Sequence, residues 1–314
     1  MKALRNKTID FGVEDGEKYL KRCVTVNGDV KLSDVLNKTV LGDTFKVTGF
    51  LPEKFVDLLI VDPPYNLSKN FGENSFKKQS PKDYAEYTES WIKAILPLLK
   101  DTASLYVCCD WESGMTIGNI LKEYFIVRNR ITWQREKGRG AKANWKNGME
   151  DIWFATVSQD YYFDTESVKI RRKVLAPYKE NGEPKDWEDT DRGKFRNTYP
   201  SNFWDDVSVP YWSMAENTAH PTQKPEKLLA KLILASSKTG DIVFDPFLGS
   251  GSTSVTAKKL KRNYVGIELN PQYCVWAEKR LLDADKDDSI QGYVGGVFWE
   301  RNTASLQRKE KAKG

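Results

Sequence analysis

Apolar residues along this chain follow two patterns, namely short continuous runs and longer stretches in which they recur every three or four positions. Continuous runs occur at residues 56–61 (VDLLIV) and 104–109 (SLYVCC). A run of this length is typical of a parallel strand that is covered on both faces. The helical spacing occurs at residues 81–99 and 225–237. The alternation of the two patterns predicts an α/β fold.

The same patterns predict most of the remaining elements. We expect strands at residues 125–134, 150–157, 241–245 and 263–268, and helices at residues 112–124, at residues 255–260 and from Pro271 onward. The alternation stops at residues 158–217, which carry a basic run, scattered aromatic residues and turns with Pro and Asn. This segment is too aromatic to be disordered. We therefore predict that it is an inserted recognition subdomain.

The end of the strand at residues 56–61 carries the first candidate chemistry. Residues 62–65 (DPPY) follow it directly. The prolines end the strand because neither has an N–H to donate, and Pro64 biases Pro63 away from helical geometry. Asp62 and Tyr65 therefore stand at the carboxyl end of a buried strand, where open α/β sheets bind their ligands. At this point the alternative interpretation, that residues 62–65 form an ordinary Pro-Pro turn after a core strand, remains open.

Composition and charge narrow the classes of function. The 314 residues carry a net charge of +5, one histidine and four cysteines. The charge suits a polyanionic partner without demanding one. With a single histidine and no CxxC pair, we expect no metal site and reduced thiols. The apolar runs are too short to span a membrane and no signal peptide is visible, so we expect a soluble, intracellular protein.

A glycine-rich turn at residues 245–253 predicts a nucleoside site. It joins a strand to a helix, and the next strand ends in Glu268, which is placed to bond ribose hydroxyls. The turn holds only Gly249 and Gly251 and does not match G-x-G-x-x-G. This argues for a nucleoside with a short zwitterionic tail, such as S-adenosylmethionine, with Asp245 and loop amides at the methionine end. Alone, such a turn is a weak signal.

Several motifs together resemble a known family, the β-class S-adenosylmethionine-dependent DNA amino-methyltransferases. Their order is catalytic motif, recognition region and cofactor loop, whereas the α and γ classes have another order. The resemblance covers about residues 38–282. Its motifs are the catalytic motif at residues 62–65, the cofactor loop at 245–253, the preceding segment HPTQKP at 220–225, the ribose strand at 263–268 and the adenine-contacting turn at Gly42 and Asp43.

The resemblance implies a Rossmann-like methyltransferase sheet of seven strands, mostly parallel with one antiparallel, and an inserted target-recognition region. It also implies a division of the chain by function. The predicted regions are an N-terminal cap at residues 1–35, a catalytic half at 36–157, a target-recognition region at 158–217, a cofactor-binding half at 218–300 and a basic tail at 301–314.

The family pattern assigns roles to individual residues. Asp62 and the Pro63 carbonyl would hold the target amine, while Pro64 stiffens the motif and Tyr65 would stack on the base. Lys224 is expected at the cofactor carboxylate, and His220 is expected to be structural or part of the cofactor shell rather than a general base. The full predicted cofactor set is Asp43, Thr44, Asp62, Pro63, His220, Thr222, Lys224, Asp245, Pro246, Phe247, Gly249, Ser250, Gly251, Ser252, Glu268, Leu269 and Asn270.

Two basic segments are predicted to bind DNA. The segment 136–148 combines four cations, three glycines and a tryptophan, which suits phosphate contact, although a solvated hairpin tip explains it equally well. The segment 169–173 lies in the predicted recognition region. The predicted DNA-binding residues are Lys137, Arg139, Lys142, Lys146, Lys169, Arg171 and Arg172.

The resemblance favours methylation of adenine N6 in double-stranded DNA. An Asp at position 62 favours adenine, because many N4-cytosine enzymes have Ser at this position of the motif. Methylation of cytosine N4 is the alternative. RNA enzymes of this kind usually carry Trp where this chain has Tyr65, and the intact motifs argue against a silent nucleic-acid-binding subunit. No cysteine follows a proline, so the nucleophile motif of cytosine C5 methylation is absent. Members are often homodimers; whether a restriction endonuclease accompanies this chain stays open.

Overall fold

The computed structural model describes residues 3, 5–71, 74–135, 143–175, 178–190 and 193–311. Within these residues the strands are β1 (Lys38–Leu41), β2 (Val56–Val61), β3 (Lys69–Phe71), β4 (Asn74–Phe76), β5 (Leu99–Cys109), β6 (Ile126–Gln134), β7 (Met149–Thr156), β8 (Ile170–Lys173), β9 (Lys179–Glu180), β10 (Glu183–Pro184), β11 (Glu188–Thr190), β12 (Gly193–Thr198), β13 (Phe203–Trp204), β14 (Ile242–Asp245), β15 (Asn263–Glu268), β16 (Tyr293–Val294) and β17 (Val297–Trp299).

Helices account for most of the remaining regular structure. They are α1 (Glu17–Leu20), α2 (Leu32–Val35), α3 (Thr44–Val47), α4 (Pro81–Ile95), α5 (Trp111–Tyr124), α6 (Glu226–Ser236), α7 (Ser252–Lys259), α8 (Pro271–Asp283) and α9 (Ala304–Lys311), with short 3-10 turns at Thr48–Phe50 and Leu96–Leu98. None of these helices is both long enough and apolar enough to cross a membrane.

The central sheet has eight strands in the order β1-β15-β14-β2-β5-β7-β6-β13. Only β7 runs antiparallel to its neighbours, β5 and β6, and the other pairs are parallel. This confirms the predicted α/β class with a mostly parallel sheet and one antiparallel strand. The sheet exceeds the predicted seven strands by β13, a two-residue edge strand. Trp204 in β13 is buried and its indole Nε1 donates to the Ser201 carbonyl at 2.9 Å, which holds this short edge in place.

Strand β2 lies inside this sheet between β14 and β5. Its side chains alternate between two apolar cores, so that Leu59 packs on the side of Trp91 in α4 and Leu58 packs on the side of Leu232 in α6. All positions of β2 except Asp57 are buried. Burial on both faces explains why the sequence shows a continuous apolar run rather than an alternating one.

A second sheet of five strands, in the order β11-β12-β8-β17-β16, packs beside α6. Strand β17 pairs in parallel with β8, with Phe298 opposite Ile170. Phe298 and Ile170 share an apolar cluster with Ala230 of α6. Strand β17 thus pairs with the segment predicted to read DNA, although the predicted boundary at 300 placed it in the cofactor half. The functional division of the chain stays a prediction.

Residues 9–20 pack against α8, and the N-terminal cap at residues 1–35 stays a prediction. Phe11 and Tyr19 pack on a small cluster formed by Tyr273 and Trp276 of α8. The indole of Trp276 donates to the Phe11 carbonyl at 3.0 Å. These contacts anchor the N-terminal segment near the helix that follows the ribose strand.

Candidate active site

A cavity of about 320 Å³ opens at the carboxyl ends of β15, β14 and β2. These strands are neighbours in the sheet, so their ends meet at one edge. The cavity gathers the predicted catalytic residues and all predicted cofactor residues except Gly251. The predicted residues that line it are Asp43, Thr44, Asp62, Pro63, Pro64, Tyr65, His220, Thr222, Lys224, Asp245, Pro246, Phe247, Gly249, Ser250, Ser252, Glu268, Leu269 and Asn270.

Further lining residues were not predicted from the sequence. Phe45 and Tyr87 form an aromatic wall, with ring centroids 6.0 Å apart in an edge-on arrangement. Tyr87 lies on α4, where helical spacing makes it indistinguishable from the core aromatics of that helix. Phe45 directly follows the predicted adenine-contacting turn, and this position was the only available signal. Leu67, Cys108, Gln223 and Tyr273 also line the cavity.

The carboxylate of Asp62 accepts two hydrogen bonds from within the cavity wall. Tyr65 donates its hydroxyl to Oδ1 at 2.8 Å, and the Lys224 ammonium donates to Oδ2 at 2.6 Å. Lys224 also donates to the Tyr65 hydroxyl at 3.2 Å. The three groups form a closed triangle, so the catalytic motif is held by a cation from a distant segment.

Burial and charge oppose each other at Lys224, whose side chain is only 8% exposed. Burial lowers the pKa of Lys224, whereas the nearby carboxylates of Asp62 and Glu150 raise it by more than burial lowers it. The net shift of the pKa is therefore upward, and the ammonium stays charged. At Tyr65, burial and the same two carboxylates raise the pKa, which keeps the hydroxyl protonated as a donor.

The position of Lys224 differs from the expected one. The sequence placed it at the cofactor carboxylate, whereas the structure places its ammonium on Asp62 and 3.4 Å from Glu150 Oε2. A buried ammonium needs a counter-charge, and these two carboxylates provide it. Contact between Lys224 and a cofactor carboxylate stays a prediction.

The segment before α6 is shaped by side-chain hydrogen bonds. Gln223 Oε1 accepts from both the backbone N–H and the hydroxyl of Thr218, at 2.9 and 2.7 Å, and Gln223 Nε2 donates to the Glu216 carbonyl at 2.6 Å. Pro225, extended at ψ 140°, then starts the helix. Gln223 therefore fixes the turn that carries Lys224 into the cavity.

His220 packs between α8 and the glycine-rich turn. Its ring meets Tyr273 edge-on with centroids 4.4 Å apart, and its Nδ1 accepts the Thr222 backbone N–H at 3.3 Å. A Cβ added at Gly249 would lie 3.1 Å from His220 Nε2. This packing suits the predicted structural or cofactor-shell role, and no general-base role is needed to explain it.

Asp245 shapes the glycine-rich turn. Its carboxylate accepts the Phe247 backbone N–H at 3.0 Å and the Thr253 hydroxyl at 2.5 Å. Gly251, with φ +86°, does not line the cavity; a Cβ there would lie 2.6 Å from Ala277 Cβ in α8. Its predicted place in the cofactor set therefore changes to the underside of the turn, where glycine permits close approach to α8.

Glu268 faces the same turn from the end of β15. It accepts the backbone N–H of Gly249 and of Asn270, each at 2.7 Å. Burial raises the pKa of Glu268 to about 7 and that of Asp245 to about 7. Two carboxyl groups that titrate near neutral pH suit a ligand with hydroxyl donors and a positive charge.

These residues fit S-adenosylmethionine, the cofactor that the sequence resemblance implies. The aromatic wall of Phe45 and Tyr87 suits an adenine ring, Glu268 suits ribose hydroxyls, and Asp245 with the turn amides suits the zwitterionic tail. The hydroxyl of Thr44 donates to the Pro246 carbonyl, which joins the predicted adenine-contacting turn to the cofactor turn.

The predicted DNA-binding residues are not all comparable. Lys146 is exposed beside Trp145, whose side chain is 94% exposed. Lys137, Arg139 and Lys142 lie outside the described residues. Three others have carboxylate partners within the chain: Lys169 with Glu166 at 2.7 Å, Arg171 with Glu188 at 2.8 Å, and Arg172 with Glu300 at 3.3 Å. Phosphate would compete with these carboxylates, and their role in DNA binding stays a prediction.

A comparison with protein-family models identifies the family of the protein that carries this cavity. The family model of the N6/N4 methylases, described as DNA methylase, matches residues 56–279, which include both the DPPY motif and the glycine-rich turn. The chain belongs to this DNA methylase family. The sequence-based recognition of the family is thereby confirmed, and the matched region contains the cavity-lining residues other than Asp43, Thr44 and Phe45.

One curated relative and two solved structures illustrate what this methylase is similar to. The DNA adenine methyltransferase YhdJ of Escherichia coli (strain K12) is 32% identical over 252 residues, which are 78% of this chain and 82% of YhdJ. The solved structure of M1.HpyAVI in complex with SAM matches with a TM-score of 0.54 at 24% identity, over 77% of this chain and 98% of that one. The PvuII cytosine-N4-specific DNA methyltransferase matches with a TM-score of 0.60 at 18% identity, over 85% and 90% of the chains. The two structural matches show the shared Rossmann-like fold.

Proposed function

We propose that this methylase transfers the methyl group of S-adenosylmethionine to the N6 amine of a flipped adenine in double-stranded DNA. The observation that carries the proposal is the shared cavity. Asp62, at the end of β2, faces the same space as Asp245 and Glu268, at the ends of the two neighbouring strands. One carboxylate for the amine therefore stands beside two for the methyl donor.

The cofactor is held by this chain's own acids and amides. When bound, S-adenosylmethionine supplies an electrophilic methyl group on a sulfonium. Glu268 accepts hydrogen bonds from the ribose, while Asp245 holds the turn that faces the methionine end. Because burial holds the pKa of both acids near 7, the positive charge of the ligand favours their ionised forms.

The target amine is held by the DPPY motif. Its lone pair is delocalised into the base, so both N–H groups need acceptors that turn the lone pair toward the methyl group. Asp62 accepts one N–H and the Pro63 carbonyl accepts the other. The Tyr84 hydroxyl donates to the Pro64 carbonyl at 3.1 Å, which helps hold the turn. Such fixed acceptors are electrostatic preorganisation.

Positive charge develops on the amine nitrogen as the new bond to carbon forms. Asp62 stabilises that charge and directs one N–H proton toward itself or toward solvent. The ring of Tyr65 stacks on the flipped base, a contact worth about 1–3 kcal/mol. This offsets part of the few kcal/mol required to unstack a base.

Adenine is preferred over cytosine for two reasons. Asp62 occupies the first position of the motif, where many N4-cytosine enzymes have Ser, and YhdJ, which is named an adenine methyltransferase, is 32% identical to this chain. Cytosine N4 is the second candidate, supported by the likeness of the fold to the PvuII enzyme. Lys146 and the exposed Trp145 are proposed as contacts to the DNA.

Transfer of a labelled methyl group tests this function. The protein is incubated with methyl-labelled S-adenosylmethionine in three separate reactions. These contain unmethylated duplex DNA, single-stranded DNA or RNA. We expect label in duplex DNA, recovered as N6-methyladenine. Label confined to RNA would move the substrate to another class, and no transfer to any nucleic acid would refute the enzymatic proposal.

A further inference from the structure

Four charged side chains form a continuous chain that leads into the DPPY motif. Arg135 Nη1 contacts Glu150 Oε1, Glu150 Oε2 lies 3.4 Å from the Lys224 ammonium, and Lys224 lies 2.6 Å from Asp62. Glu150 belongs to β7 and Arg135 follows the end of β6 directly. Glu150 does not line the cavity and reaches it only through its contact with Lys224.

The second carboxylate oxygen of Glu150 is buried without a hydrogen-bond partner among the described residues. Glu150 is 4% exposed, and its Oε2 makes no hydrogen bond to any residue that the structure describes. Leaving a buried acceptor unsatisfied costs about 1–3 kcal/mol, and more for a charged group. The Lys224 ammonium lies 3.4 Å from this oxygen. The oxygen is therefore an acceptor that a small movement of Lys224 would satisfy.

The ammonium of Lys224 has hydrogen-bonding capacity for this acceptor. It carries three N–H donors. Two of them go to Asp62, at 2.6 Å, and to the Tyr65 hydroxyl, at 3.2 Å. In this arrangement Lys224 and a target amine compete for the same carboxylate, because Asp62 already accepts from both Tyr65 and Lys224.

We propose that Glu150 is a positioning residue for methyl transfer, because it gives Lys224 a second acceptor to move to when the target amine binds Asp62. The proposal rests on the function proposed for Asp62. No covalent step is involved. The ammonium shortens its contact with Glu150 and lengthens its contact with Asp62, so one Asp62 oxygen turns to the amine while the buried lysine keeps a counter-charge.

Arg135 keeps Glu150 in place for this exchange. Its guanidinium holds Oε1, and its backbone N–H donates to the Gly148 carbonyl at 2.7 Å. Residues 135 and 148 thus close the base of the segment predicted to contact DNA. Glu150 is therefore fixed from the side of that segment and meets Lys224 from the side of the cavity.

The variant Glu150→Gln tests the proposal, because glutamine keeps the shape and removes the charge. Glu278→Gln is the matched control: Glu278 has the same 5% side-chain exposure and pairs with Arg22 at 2.9 Å, on the face of α8 toward the N-terminal segment. Melting temperature, cofactor affinity by calorimetry, and kcat and KM for duplex DNA are measured for both variants and for the unmodified protein. Glu150→Asp, which keeps the charge, is expected to recover part of the lost kcat.

We expect Glu150→Gln to lower kcat about tenfold or more, with cofactor affinity changed less than twofold. The groups that face Lys224 are Asp62, Tyr65, Glu150 and Cys108. Removing the Glu150 charge takes away one cause of the raised pKa of Lys224, so the pKa of Lys224 should be lower in Glu150→Gln.

Two results would overturn the proposal alone. One is an unchanged kcat in Glu150→Gln, measured beside an active unmodified enzyme. The other is a loss of cofactor binding or of melting temperature beyond that of Glu278→Gln, which would make Glu150 a structural residue. If the unmodified protein binds the cofactor but methylates no nucleic acid, the proposed function fails, and the role of Glu150 fails with it.

Discussion

Lys224 donates a hydrogen bond of 2.6 Å to Asp62 across 162 residues of sequence. This contact joins the DPPY motif at the end of β2 to the HPTQKP segment that precedes α6. Both motifs are recognisable on their own, but the sequence does not indicate that they meet. Their contact makes Asp62, the proposed acceptor of the target amine, dependent on a buried cation.

Replacing Asp62 with asparagine should abolish methyl transfer while leaving the protein folded. Asparagine keeps the shape but removes the negative charge that stabilises the developing ammonium, and we expect a loss in kcat of about 100-fold or more. Folding should survive because Lys224 still has Glu150 as a counter-charge. The loss is measured by labelled-methyl transfer, together with the melting temperature and DNA binding.

Asp57→Asn is the control for that variant. Asp57 lies near the start of the same strand, where it pairs with Lys100 at 2.7 Å and accepts the Ile242 N–H at 2.9 Å. It should retain transfer activity. If Asp62→Asn instead unfolds the protein or keeps its activity, the catalytic role of Asp62 is wrong.

Replacing Lys224 with glutamine separates its two predicted roles. If Lys224 serves Asp62, as the 2.6 Å contact indicates, kcat should fall about tenfold or more while the dissociation constant of S-adenosylmethionine changes less than threefold. Calorimetry without DNA and single-turnover transfer measure the two quantities. A large rise in the dissociation constant with unchanged single-turnover rate would return Lys224 to the cofactor carboxylate.

Replacing Gly251 with alanine should weaken both folding and cofactor binding. The left-handed backbone at φ +86° costs a residue with a Cβ about 1 kcal/mol, and the new Cβ would meet Ala277 Cβ at 2.6 Å and Cα at 2.8 Å. Gly240→Ala is the matched control, because its φ is +88° and nothing lies within 4 Å of its Cβ. Urea unfolding should show a larger loss of free energy of unfolding for Gly251→Ala, and only that variant should lose cofactor affinity. Equal effects of the two variants would show that strain alone matters.

Cofactor binding should weaken as pH falls below neutral. Burial raises the pKa of Glu268 and of Asp245 to about 7. A raised folded-state pKa means that these groups contribute stability below their unfolded pKa, and that this contribution is lost as pH rises through about 7. A cationic ligand favours the ionised forms and so has the opposite dependence.

Calorimetry with S-adenosylmethionine at pH 6 and pH 8 measures this linkage. We expect affinity about tenfold lower at pH 6 if one proton must leave on binding. Glu268→Gln should bind more weakly at pH 8 and show a flatter profile. An affinity that is independent of pH would mean that neither acid changes its protonation when the cofactor binds.

The sequence was sufficient for the elements whose signal is local. The run at residues 56–61 is apolar at every position except Asp57 because β2 is buried on both faces, and the prolines directly after it end the strand. The same holds for the turn that bears Gly249 and Gly251, whose positive φ values of 56° and 86° favour glycine. The edge of the sheet where the cavity lies follows from these local signals and the rules of α/β topology.

Other features depend on contacts between distant segments. The partners of Lys224 come from β2 and β7, and no spacing in the sequence encodes which carboxylate a buried ammonium meets. Tyr87 shares its helical spacing with core residues, so only the fold separates it from them. Strand β13 pairs over two residues, too few for a periodic signal. Residues 297–299 join the second sheet through parallel pairing with β8, which no local pattern in the sequence indicates.

The identity of the methylated base is the most direct test of the proposed transfer to adenine N6 at Asp62. Unmethylated duplex DNA is treated with the protein and S-adenosylmethionine, and the digested nucleosides are quantified by mass spectrometry, with Asp62→Asn in parallel. We expect N6-methyladenine from the unmodified protein and none from Asp62→Asn. Methyl groups found in N4-methylcytosine instead, or formed equally by Asp62→Asn, would contradict it.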